Sequence, residues 1–118
     1  MPWEYDQSSG EIRLNGAYEG KGYAGTGTGR DNPDMEHVSH TGPIPRGSYT
    51  IGPSYRHPHL GPVVMNLDPV GHTAHGRTHF RIHGDNAAND ASEGCIVLPP
   101  NVRKKISASS DKKLEVVR

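Results

Sequence analysis

The chain is short of most of what builds a large core. Its 118 residues include one cysteine, one phenylalanine and one tryptophan, and 31% of them are hydrophobic. A single cysteine excludes an internal disulfide and leaves the redox compartment open. So few apolar side chains can fill only a small core, and the length fits one domain spanning residues 1–118. Charge of one sign is also lacking: thirteen basic side chains face thirteen acidic ones. That balance speaks against nucleic acid or an anionic membrane surface as a partner, while a disordered chain of this hydropathy would carry a high net charge. No apolar run approaches the length of a membrane-spanning helix, so no membrane insertion is expected. The opening Met1-Pro2-Trp3-Glu4-Tyr5-Asp6 is polar and without the basic and apolar regions of a secretory signal. The expected product is therefore a cytoplasmically made chain without a signal peptide, acting as a monomer.

Glycine and proline are abundant, with fifteen and ten residues, and they divide the chain into short segments. Trp3–Gln7, Glu11–Asn15 and Ala17–Tyr23 read as strands. Asn15-Gly16 is a two-residue hairpin signal, and the alternation of Trp3 with Tyr5 and of Ile12 with Leu14 suits a half-buried sheet. Gly25-Thr26-Gly27-Thr28-Gly29-Arg30-Asp31-Asn32-Pro33 lacks the lysine followed by Ser or Thr of a phosphate-binding loop and is expected to form a loop or cleft wall. Gly42-Pro43-Ile44-Pro45-Arg46-Gly47 is a rigid turn feeding a strand over Ser48–Gly52. Further strands are expected over Pro62–Leu67, His79–His83, Cys95–Leu98 and Lys113–Val117, with one helix over Asn101–Ser107. The composite is mainly β, a small barrel or sandwich with one short helix.

Cys95 stands in Ser92-Glu93-Gly94-Cys95-Ile96, twelve residues after the His83-Gly84 pair. A free thiol titrates near 8.5, so a thiolate at neutral pH needs a base or a cation beside it, and histidine is the usual supplier. If Phe80 and Ile82 face the core, strand alternation turns Arg81 and His83 to the other face and aims His83 at a cleft. A structural reading stands beside each: a lone cysteine is often buried and inert, and a lone histidine is commonly a hydrogen-bonded scaffold residue. His72, His75, His79, His83, Asp85 and Asp90 invite a metal reading. Yet no His-Glu-x-x-His pair is present and the spacing fits no common zinc signature.

Phe80-Arg81-Ile82-His83-Gly84-Asp85 followed by Ser92-Glu93-Gly94-Cys95-Ile96 resembles the active-site signature of the L,D-transpeptidase (YkuD-like) family, His-Gly and then Ser-x-Gly-Cys-Ile. Gly42 to Ile51 is similar to that family's Thr-Pro-x-Gly-x-Tyr-x-Ile segment. Over the whole length, Met-Pro-Trp-x-Tyr, the Tyr23-Ala24-Gly25 to Asn32-Pro33 loop, Gly-Pro-Ile-Pro-Arg-Gly and the ending Leu114-Glu115-Val116-Val117-Arg118 resemble the type VI secretion L,D-transpeptidase effectors. Two positions differ from the wider family: Glu93 stands where many members carry a second histidine, and Val97 where many carry arginine.

The resemblance implies a toxin injected into the periplasm of a competing Gram-negative cell, with no cofactor. Cys95 would attack the tetrapeptide stem of peptidoglycan at the L-centre of diaminopimelate with His83 as base, expelling D-alanine. The backbone N–H groups of Gly94 and Cys95 would hold the oxyanion. Ser92 reads as a loop-shaping residue, Asp85 as a turn cap or a ligand for the stem's amine, and Arg46 as a carboxylate partner or a surface residue. His72 is a candidate extra cleft residue, and Gly84 and Glu93 flank the pair. The resemblance also implies an immunity protein in the producing cell and a secretion-system partner. Two rivals stay open: a zinc-dependent cell-wall peptidase and a non-catalytic peptidoglycan-binding module. An NlpC-type cysteine peptidase is disfavoured by order, because it places cysteine before histidine.

Overall fold

In the computed structural model, which describes residues 2–86 and 92–118, ten strands and one α-helix form the domain. The strands are β1 (Trp3–Asp6), β2 (Glu11–Leu14), β3 (Ala17–Lys21), β4 (Tyr23–Ala24), β5 (Gly47–Ile51), β6 (Tyr55–His57), β7 (Gly61–Val70), β8 (Arg81–His83), β9 (Ile96–Val97) and β10 (Lys113–Val117). The helix α1 covers Pro100–Ala108, and three single-turn 3-10 helices lie in the loops. The fold is mainly β with one helix, as expected. The sheet runs β3-β2-β1-β10-β5-β7-β8-β9-β4 with β6 paired to β7 off this path, and it does not close into a barrel.

Local chemistry accounts for most of these elements. Asn15 and Gly16 have φ of 53° and 82°, the doubly positive geometry of a two-residue hairpin turn that matches the strands' twist. Alternation buries Trp3 and Tyr5 of β1 and Leu114 and Val116 of β10 on one face. β1 and β10 pair in parallel, Trp3 with Leu114 and Tyr5 with Val116, so these side chains meet in the core. Pro100 opens α1, where its missing N–H costs nothing. Val102 and Ile106, one turn apart, face the sheet and are buried.

β7 is the hinge of the architecture. Its C-terminal half pairs with β5, Met65 and Asn66 pair with β8, and its N-terminal end pairs with β6. β8 then pairs in parallel with β9. The expected strand over His79–His83 is shorter than its alternation suggested: pairing begins at Arg81, and His79 has φ of 65°, which breaks the extended run. β9 is likewise limited to Ile96 and Val97, and the Ala17–Tyr23 segment splits at Gly22 into β3 and β4. β6 carries no apolar alternation and two of its three residues are exposed, so nothing in its sequence announced it. Among the described residues, no helix is long and apolar enough to cross a membrane.

Candidate active site

The parallel pair β8 and β9 builds the site. Ile82 pairs with Ile96 and His83 with Val97, and both isoleucines are fully buried in the core. Partners in a parallel register point to the same face, and neighbours along a strand point to opposite faces. Arg81, His83 and Cys95, which immediately precedes β9, therefore share the face away from that core. All three line one cavity of about 330 Å³, together with His79, Phe80 and Glu93. Strand parity does aim His83 into a cleft.

His83 is 2% exposed, and its Nδ1 lies 2.8 Å from the Gly84 carbonyl oxygen. A carbonyl can only accept, so Nδ1 carries the proton and Nε2 keeps its lone pair. The Cys95 thiol is partly exposed and donates to the His79 carbonyl at 3.5 Å. Burial pushes its pKa up and the Glu93 carboxylate adds to this, against the Arg81 backbone N–H and the Arg81 and Arg77 charges. Burial also pulls the His83 pKa down, helped by the positive charges of Arg103, Arg81 and His57 and opposed by the Gly84 hydrogen bond. Both shifts favour a neutral thiol and a neutral imidazole in the resting site.

Ser92 and Arg77 shape the loop that carries the thiol. Ser92 is buried, and its hydroxyl donates to the Cys95 carbonyl at 2.6 Å while accepting the N–H groups of Gly25 at 2.8 Å and Gly94 at 3.0 Å. The glycine-rich loop after β4 is thereby tied to the cysteine loop, although none of its residues lines the cavity that holds Cys95 and His83. The Gly94 N–H is thus already engaged, whereas no hydrogen bond engages the Cys95 N–H among the described residues.

Arg77, which no motif singled out, is buried and gives four hydrogen bonds. Nη1 donates to the carbonyls of Glu36 at 2.7 Å and Pro43 at 2.8 Å, and Nη2 to those of Gly42 at 3.0 Å and Glu93 at 3.1 Å. Its guanidinium also lies 5.0 Å from the Phe80 ring centroid. One side chain therefore fastens the Gly42-Pro43 turn to the cysteine loop, which gives a physical reason for the two motifs to occur together. A Cβ at Gly94 would collide with Arg77 Nη2, and Gly94 has φ of 136°, so both space and backbone require glycine there. The only local sign of Arg77 in the sequence is an arginine shortly before β8, which cannot be told from a surface residue.

Other candidates fall elsewhere. Arg46 gives its Nε, Nη2 and backbone N–H to Glu36 and lines neither cavity found among the described residues. Burial opposes ionisation of Glu36, but hydrogen bonds from Arg46, Gln7 and His75 outweigh it and hold its pKa at about 2. His72 spends both ring nitrogens on the backbone, Nε2 on the Ser48 carbonyl at 3.0 Å and Nδ1 on the Ala74 N–H at 3.1 Å, and packs edge-on against Tyr49. It too lies outside the cavity. The Glu93 side chain is exposed, 3.9 Å from His40. Asp85 accepts from the Tyr23 hydroxyl at 2.6 Å and from the Asn86 N–H at 2.8 Å, at the edge of a second cavity.

The histidines do not gather. His72 and His83 are held by backbone, His75 by Glu36, and His79 lies at the thiol. Among the described residues no three His, Cys, Asp or Glu side chains converge as metal ligands, and Asp90 lies outside the described residues.

A mainly β domain that sets a cysteine and a backbone-oriented histidine into one cavity has the parts that thiol-based acyl transfer needs. Residues 19–117 match the Tlde1 domain, and the chain belongs to that family, the L,D-transpeptidase effectors of type VI secretion. Enzymes of that family act on peptidoglycan in the periplasm of target cells. No curated protein matches the chain.

Proposed function

We propose that this chain is a cysteine-dependent L,D-carboxypeptidase and L,D-transpeptidase that removes or exchanges the terminal D-alanine of peptidoglycan tetrapeptide stems. The observation that carries the reading is the common face of β8 and β9, on which Cys95 shares a cavity with a His83 ring fixed by Gly84. His83 Nε2 takes the thiol proton as sulfur attacks the carbonyl carbon at the L-centre of diaminopimelate. The negative oxygen of the tetrahedral intermediate meets the Cys95 N–H, since Ser92 already occupies that of Gly94. Collapse breaks the C–N bond, the imidazolium returns its proton to the departing D-alanine amine, and a thioester remains. Water releases a tripeptide, or the amine of a D-amino acid restores a stem with a new end. His83 accepts the proton of either nucleophile, and the leaving thiolate takes it back.

Opposed pKa shifts suit this cycle. A neutral pair at rest means that proton transfer accompanies attack, which is general-base catalysis rather than a stored thiolate. Depletion of tetrapeptide donors starves cross-linking in the target wall, and a producing cell then requires an immunity protein and a secretion-system carrier. The test is the muropeptide profile of sacculi treated with the protein. Wild type is expected to convert tetrapeptides to tripeptides or exchanged stems, and Cys95→Ser to do neither. Turnover that survives Cys95→Ser and stops with EDTA overturns the thiol mechanism. Binding to sacculi with no altered muropeptide favours a non-catalytic module.

A further inference from the structure

A second cavity, of about 500 Å³, is lined by Lys21, Tyr23, Asp85, Val97 and Arg103 among others. Val97 follows Cys95 by two residues and pairs with His83. Alternation puts Cys95 and Val97 on one face, about 7 Å apart along the chain. The two cavities therefore follow one another along β8 and β9, with His83 between them.

Arg103 gives this cavity its character. It sits on α1 and is 6% exposed. Nε donates to the Leu98 carbonyl at 3.0 Å, and Nη1 to the carbonyls of Pro62 at 2.6 Å and Val63 at 3.3 Å. Nη2 makes no hydrogen bond among the described residues. A Cβ at Gly84 would lie 2.8 Å from it, so the guanidinium edge passes directly over the backbone that follows His83. No ion pair engages Arg103 among the described residues, and burial alone lowers its pKa. Buried charges are ordinarily paired because desolvation is costly. A guanidinium held by three carbonyls, with one N–H edge unbonded and no counter-charge on it among the described residues, is prepared for an anion, and its planar fork suits a carboxylate. Lys21 adds positive charge to the same cavity. Asp85 supplies the opposite sign there, and its Oδ2 makes no hydrogen bond among the described residues.

We propose that this second cavity is a subsite for an amino-acid head group, taking its carboxylate on Arg103 and its ammonium on Asp85. The inference rests on the proposed attack of Cys95 on a peptide stem. Two sources carry that chemistry: the side-chain end of the diamino acid that is acylated onto Cys95, and a free amino acid arriving as acceptor. The first fits the spacing, because five tetrahedral bonds separate the attacked carbonyl carbon from the far amino-acid centre, about 6 Å when extended.

The experiment compares wild type, Arg103→Lys and Asp85→Asn on three stems: one with free diaminopimelate, one with its side-chain carboxyl amidated, and one with lysine in its place. The amide introduced by Asp85→Asn keeps an oxygen that can accept from Tyr23 and Asn86, so that variant tests charge without relying on the survival of a changed buried arginine. The expected result is a KM for the free diaminopimelate stem at least tenfold lower than for the other two in wild type. Arg103→Lys should lose that preference, and Asp85→Asn should raise the KM of all three stems, with little change in kcat. If preference instead appears only in the KM of an added D-amino acid, the cavity serves the acceptor. If neither KM responds to either variant while Cys95-dependent turnover persists, the subsite is wrong and the proposed function stands. Amide shifts on titrating free meso-diaminopimelate give a readout independent of turnover. Saturable shifts at Gly84, Asp85 and Arg103 in a protein that turns over no stem keep the subsite and remove the reaction. No shifts together with no discrimination among stems remove the subsite.

Discussion

Replacing Arg77 by methionine keeps an apolar stem of similar reach and deletes four hydrogen bonds at once. The acceptors are the carbonyls of Glu36, Gly42, Pro43 and Glu93. Glu93 lies at the cavity, where water can replace the lost donor. Glu36, Gly42 and Pro43 are buried, and a buried acceptor left without a donor costs about 1–3 kcal/mol. Taking the low end for three carbonyls gives about 3 kcal/mol, because release of a desolvated guanidinium offsets part of the loss. For a domain of this size each kcal/mol moves Tm by about 4 °C, so Tm should fall by about 12 °C. A kinetic effect should persist at temperatures where the variant stays folded. Freeing the Glu93 carbonyl loosens the residue two before the nucleophile, and a displacement of about 1 Å can cost about 100-fold in rate. Differential scanning calorimetry gives the first number and tetrapeptide turnover at about 20 °C, below the transition of a destabilised variant, the second. A variant that melts within about 2 °C of wild type and keeps full turnover would refute the claim that Arg77 clamps the cysteine loop.

The site's electrostatics predict a broad pH plateau. Activity should rise through a His83 pKa below its ordinary value and decline only above the ordinary thiol range; rapid alkylation of Cys95 at about pH 5, well below an ordinary thiol's titration, would instead reveal a stored thiolate. Ser92→Ala removes the acceptor of two N–H groups and the donor to the Cys95 carbonyl. It should cost about 2 kcal/mol in urea unfolding and lower turnover, and an unchanged unfolding midpoint would contradict its place in the loop. Glu36 is held at a pKa of about 2 against an ordinary 4.5, so its ionised form favours the fold. That contribution, about 3 kcal/mol, is fully present above pH 4.5 and is lost as pH falls toward 2. Glu36→Gln should flatten stability across that window, and an equally steep acid loss in the variant would place the titration elsewhere.

What could be read from the residues was what short-range rules govern. Asn15-Gly16, β10 and α1 follow from turn chemistry, alternation and an N-terminal proline, and they appear within a residue or so of the expected bounds. The aim of His83 followed from parity with Ile82, because the period of a strand needs no knowledge of its partner. Arg77 was invisible for the opposite reason. Its four acceptors lie 16 to 41 positions away along the chain, and only tertiary closure brings them together. Arg46 and His72 illustrate the same limit from the other side. Both have side chains that could meet a substrate, and both are taken by Glu36 or by backbone that the local sequence does not reveal. β6 exists because β7 offers it a partner, not because Tyr55-Arg56-His57 has strand-like periodicity.

The two positions at which the sequence differs from the wider pattern it resembles acquire a common explanation from this packing. Glu93 turns its side chain outward toward His40 and contributes its carbonyl to Arg77. Val97 is buried, pairs with Tyr23 and His83, and lines the second cavity beside Arg103. A cation is therefore present near each position, but it reaches the site from another part of the chain: Arg77 from the segment before β8, and Arg103 from α1. An arginine at position 97 would place a second guanidinium against Arg103, which has no counter-charge bonded to it among the described residues. Val97→Arg should therefore destabilise the domain rather than improve it, and the loss in urea midpoint of the double variant with Arg103→Met should be smaller than the two single losses combined. Independent, additive losses in the double variant would show that the two positions do not share one site.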